Sequence, residues 1–62
     1  MATSFLRREE VQRRLGVGRT KLVSMVESGE FPKPIKVSGG VLAWPDTDVQ
    51  GFIDSRIAAE RG

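Results

Sequence analysis

The sequence predicts a mainly α-helical domain carrying one small β-hairpin, in the order helix, helix, hairpin, helix. Three observations predict it. Two short stretches with apolar residues at helical spacing are separated only by Gly16-Val17-Gly18. Alternating segments then flank Ser38-Gly39-Gly40, and from Pro45 onward the apolar residues return to a helical period.

Arg8 to Leu15 reads as the first helix: Val11 and Leu15 lie four apart on one face, with Leu6 just before and Val17 just after. Glu9–Arg13 and Glu10–Arg14 are spaced for i,i+4 ion pairs in the favourable order, worth about 0.2–0.5 kcal/mol each. Gly16 stands where a left-handed C-cap belongs. The second helix runs from about Arg19 to Ser28, with Leu22, Met25, Val26 and, less squarely, Val23 as its stripe. Gly18 is its N-cap and Gly29 closes it.

Phe31-Pro32-Lys33-Pro34 then forbids helix and holds the chain extended. Ile35-Lys36-Val37 alternates as a half-buried strand does, Ser38-Gly39-Gly40 turns, and Val41-Leu42-Ala43-Trp44 returns. A two-stranded hairpin is not stable alone and has to lean on the helices. Pro45-Asp46 opens the last helix, with Asp46 as N-cap and Asp48 favourable to the dipole. Val49, Phe52, Ile53 and Ile57 give it a core face. Trp44, Phe31 and Phe52, spaced with Ile35, Leu42 and Ile53, are read as core rather than as base-stacking residues. The expected architecture is a single winged helix-turn-helix domain over residues 1–62. Its helix-turn-helix covers about 8–28, its wing about 34–44 and its C-terminal helix about 46–60.

Composition narrows the function. A chain of 62 residues encloses little volume for a substrate pocket. With neither cysteine nor histidine it lacks thiolate ligands, the commonest nitrogen ligand and the commonest general base. We therefore expect no enzyme, no cofactor, no metal and no small-molecule substrate; Asp46 and Asp48 suit helix capping better than metal binding. No run reaches the ~18 apolar residues of a membrane span. The N-terminal Arg7 and Arg8 are followed by an acidic pair rather than an apolar stretch, so a cytoplasmic location is expected. Charge is unevenly spread. Residues 1–40 hold eight Lys/Arg against four acids, and residues 41–62 hold two Arg against four acids. A basic front suits a polyanion, and an acidic back lets one copy approach the front of another.

The chain resembles the AlpA-like and excisionase proteins of phages and prophages, a branch of the MerR-like winged-helix group. The resemblance runs from about Leu6 to Ile57. It rests on Leu6-Arg7-Arg8-Glu9-Glu10-Val11, on Leu15-Gly16-Val17-Gly18-Arg19-Thr20-Lys21-Leu22, on Gly29-Glu30-Phe31-Pro32-Lys33-Pro34-Ile35-Lys36-Val37, and on Ala43-Trp44-Pro45-Asp46-Thr47-Asp48-Val49. It implies that Arg19, Thr20, Lys21 and Ser24 face double-stranded DNA. Val23 stands where the family often has an aromatic residue, Ser24 where it often has a basic one, and Gly18 where it has a hydroxyl cap that also touches phosphate.

The residues support such a surface on their own terms. Arg19 and Lys21 oppose the dipole in the first helical turn, so local stability does not explain them, whereas an anionic partner does. Arginine can bond two acceptors of a guanine, and the first turn of a recognition helix points at base edges. Thr20 and Ser24 share the outward face, as contacts to phosphate or base or simply as small polar surface residues. Arg7 and Arg8 lack a favourably spaced acid and suit phosphate, while Arg13 and Arg14 suit ion pairs. In the wing, Lys36 (with Lys33) can meet phosphate and Gly39 can approach a minor groove.

What the resemblance implies about role is an excisionase, a recombination directionality factor. Such a protein assembles cooperatively on attachment-site DNA, head to tail with its own copies, bends it, and helps an integrase to excise. An AlpA-type transcriptional regulator of prophage or integrase genes is the alternative. A protein-interaction module without DNA binding is the second alternative, favoured by Val23 and Ser24.

Overall fold

The structure is a computed structural model that describes residues 3–61. Its elements are β1 (Phe5–Leu6), α1 (Arg8–Leu15), α2 (Arg19–Glu27), β2 (Ile35–Ser38), β3 (Val41–Pro45) and α3 (Asp46–Arg61). This is a winged helix-turn-helix: α1 and α2 form the helix pair, and β2 and β3 form the wing.

Both helical stops depend on glycine. Gly16, at φ 70°, caps α1 in the left-handed region, and its N–H donates to the Gln12 carbonyl at 2.8 Å. After α2 the chain leaves through Ser28 and Gly29 (φ 84°), while the N–H groups of Glu30 and Phe31 both return to the Met25 carbonyl. That turn drives Phe31 into the centre of the molecule.

The sheet has a strand that the sequence reading left outside any element. β1 pairs antiparallel with β3 in the register Phe5↔Pro45 and Leu6↔Trp44, so β3 is central in the order β1-β3-β2. The Asp46 N–H donates to the Ser4 carbonyl at 2.8 Å, which ties the start of α3 to the N-terminal segment. Asp46 is thus the first helical residue rather than a cap preceding the helix. In the wing, Ile35 faces Ala43 and Lys36 faces Leu42, but Ser38 faces Val41. The register shift inserts one residue near Val37, a bulge that increases the local twist.

The core comprises Leu6, Val11, Leu22, Met25, Phe31, Ala43, Trp44 and Val49. Leu15, Val17, Val26, Phe52 and Ile53 pack against it half-buried. Phe31 sits edge-on to Phe52 at 4.9 Å between centroids and tilted against Trp44 at 6.0 Å. Three residues expected inside lie outside: Ile35 (45% exposed), Leu42 (51%) and Ile57 (45%). The helices pack on β3, not on the outer strand β2, which strands Ile35. Leu42 lies opposite Lys36 on the distal wing. Ile57 lies on the outer half of α3, where every described residue after Ile53 is exposed.

The buried Trp44 has one polar atom, and its Nε1–H donates to the Pro32 carbonyl at 2.7 Å. Trp44→Phe keeps an aromatic side chain but removes the N–H donor and part of the buried ring, so it is expected to cost at least about 1–3 kcal/mol in urea unfolding. An unchanged midpoint would show that water replaces the indole.

Candidate nucleic-acid interface

The outer face of α2 is set by the helical period. Leu22 and Met25 point into the core, so Arg19, Thr20, Val23, Ser24 and Glu27 share the opposite side and together line one shallow surface depression. The face opens at a bare helix start. Gly18 is extended (φ −83°, ψ 174°) and supplies no side-chain cap, and the first turn holds no acid. Cationic Arg19 therefore adds to the positive end of the dipole.

This face is continuous with the wing. A second depression, lined by Arg8, Leu22, Val23, Val26, Glu27, Pro34 and Trp44, shares Val23 and Glu27 with the first. A third, lined by Arg7, Arg8, Glu9, Pro34, Gly40, Leu42 and Trp44, shares Arg8, Pro34 and Trp44 with the second. Arg8 is the hinge of this surface. Its stem lies beside Trp44 and Pro34, its Nη2 bonds Glu9 at 3.3 Å, and its Nε is buried with no partner among the described residues. Arg7 is the extended residue preceding α1 and stays exposed. Lys36 is exposed across the strand pair from Leu42, and Gly39 (φ 52°) forms the wing tip with Gly40, where only glycine adopts the turn cheaply.

Of the residues the sequence singled out, Arg19, Thr20 and Ser24 come together on one face, with Gly18 at its head and Arg7, Arg8, Lys36 and Gly39 along its wing side. Lys21 does not join them. It lies about 200° round the helix from Arg19 and lines a separate apolar groove with Arg14, Leu15, Met25, Ile53, Arg56 and Ile57. Two residues that the sequence reading did not place on the face belong to it, Val23 and Glu27; a helical wheel drawn from the buried pair Leu22 and Met25 would have found both. No α3 residue lines the three connected depressions.

The ion pairs also differ from the i,i+4 expectation. Glu9 pairs with Arg8 and Glu10 with Arg13, three residues on, while neither Glu9–Arg13 nor Glu10–Arg14 forms a bridge. The four side chains are between 43% and 71% exposed, so each bridge contributes little. On α3, Arg56 pairs with Glu30 and stacks on Phe52 at 5.0 Å, which occupies it away from the α2 face.

No helix among the described residues is long and apolar enough to cross a membrane. The family model described as prophage CP4-57 regulatory protein (AlpA) matches residues 4–57. The chain is 32% identical over 57 residues to the uncharacterized protein ORF88 of Enterobacteria phage P4, an alignment covering 92% of this chain. It spans 65% of that relative's length. No solved structure matches.

Glu9 lies in the first turn of α1 and its carboxyl is held below its ordinary pKa. The cause is first its own backbone N–H, opposed by slight desolvation and reinforced by Arg8, Arg7 and Arg13. A depressed carboxylate stabilises the fold above its unfolded pKa and loses that contribution as pH falls through the folded value. Melting curves of the wild type and Glu9→Gln should therefore be separated at neutral pH, with the wild type higher, and converge in acid. A constant separation across that range would contradict the assignment.

Proposed function

The chain belongs to the family of the prophage CP4-57 regulatory protein (AlpA), and from that premise we propose that it binds double-stranded DNA as an excisionase. One observation carries the DNA-binding reading: the exposed face of α2, Arg8 and the wing form a connected surface lined by Arg19, Arg7 and Arg8 with the acids Glu9 and Glu27, flanked by Lys36 opposite Leu42, and no α3 residue lines it. A helix with a bare positive end, flanked by a hairpin tipped with glycines, matches a major groove and its neighbouring phosphates in shape and sign. Arg19 then reads a base edge, Thr20, Ser24 and Gly18 border it, and Arg7, Arg8 and Lys36 hold phosphate.

A face this small makes few base contacts, so selectivity has to come from several copies and from the deformability of the DNA. Arrayed copies bend the attachment site and favour excision by an integrase partner. Lys21 and Arg14 on the separate groove, against the exposed Asp54 of α3, give the neighbouring copies opposite charges to match. Such a contact is heterologous and propagates instead of closing. Transcriptional regulation of prophage or integrase genes needs the same surface; the regulatory character of the family supports it as the second reading.

Binding to duplex DNA should weaken steeply with salt, and Arg19→Ala should cost about 1–3 kcal/mol of specific affinity while flattening preference at one base pair. A site preference left unchanged by Arg19→Ala would rule out base reading by this residue. Asp54→Lys is expected to reduce cooperativity on tandem sites while single-site affinity holds. Equal losses on single and tandem sites would reject the head-to-tail arrangement. Footprinting across an attachment region, paired with an excision assay, separates the two roles.

A further inference from the structure

The outer face of α2 holds two residues that phosphate binding does not explain. Val23 is 43% exposed and is not among the residues packed on the core, yet it sits between Arg19, Thr20, Ser24 and Glu27. Glu27 follows one turn later, exposed and without an ion pair or side-chain hydrogen bond among the described residues. A free carboxylate is repelled by a phosphate backbone. In the floor of the major groove it is tolerated, because cytosine presents an amino donor there. The acid therefore argues that this part of the helix addresses base edges, and Val23, one turn from it and one turn from Arg19, addresses them too.

We propose that Val23 is a specificity-determining residue that packs its isopropyl group on the 5-methyl of a thymine. This rests on the DNA-binding reading given above and extends it to the chemistry of one base. The four residues from Arg19 to Val23 advance about 6 Å along α2, so Val23 reaches a base pair one or two steps from the one met by Arg19. In the major groove the thymine methyl is the apolar feature that distinguishes an A·T pair, and a rigid β-branched side chain meets it at little entropic cost. Because Val23 takes no part in the core, shortening it removes this contact and leaves the fold in place.

Deoxyuridine isolates the contact, since it differs from thymidine by that methyl alone. A bound site is defined by footprinting, each of its thymines is replaced singly by deoxyuridine, and duplex affinities are measured for the wild type and for Val23→Ala, with melting curves to show equal folding. At one position the wild type should lose about fourfold, the equivalent of one buried methyl group. At that position Val23→Ala should bind the thymine and uracil duplexes alike. A wild type that binds DNA with no methyl-dependent position overturns the inference alone, as does a variant that keeps the full penalty. A wild type that binds no duplex overturns both the inference and the reading beneath it.

Discussion

The burial of Phe31 is the constraint on which the rest depends. It is 1% exposed, lies against Trp44 of β3 and Phe52 of α3, and enters the core because its N–H and that of Glu30 both turn back to the Met25 carbonyl at the end of α2. One side chain therefore joins the end of α2, the wing strand β3 and α3. The adjoining prolines prevent the chain from continuing α2, and the bond from Trp44 Nε1 to the Pro32 carbonyl fixes the extended segment on the indole. In a domain with so few buried residues, an aromatic cluster of this kind supplies an outsized share of the apolar area.

The same arrangement orders the surface. Arg8, Pro34 and Trp44 together line two of the three depressions, and through them the outer face of α2 continues to the wing. β1 adds a second restraint, because its pairing with Pro45 and Trp44 fixes Arg7 and Arg8 directly beside β3. The arginines are thus placed by sheet pairing as much as by the helix they begin. On α3, the Arg56–Glu30 pair and the stacking of Arg56 on Phe52 draw that cation to the separate groove, away from the α2 face. Charge sorting in this protein is a consequence of packing.

Local signals in the chain were legible where local physics is decisive. Gly16 and Gly29 mark stops because few other residues accept a positive φ, and two closely spaced prolines after Phe31 cannot sit in a helix interior. The ion pairs were less legible: i,i+3 and i,i+4 neighbours are both within reach, and rotamers select Arg13 over Arg14 for Glu10. On α2, Arg19, Thr20 and Ser24 could be grouped from their spacing. Lys21 was grouped with them as a first-turn cation, although the helical period turns it toward Met25.

By itself the sequence determined the order of the three helices and the wing hairpin, the ends of α1 and α2 and the basic front, because each follows from backbone preference, hydrophobic period or composition. Only the tertiary structure decided which apolar residues are covered and which polar ones share a face. Ile35, Leu42 and Ile57 carry the apolar pattern of a core yet face solvent, and Phe5-Leu6 becomes a strand through a partner some forty residues away. Periodicity records which residues point the same way. What lies opposite them depends on contacts between segments distant in the chain, and no local window contains those.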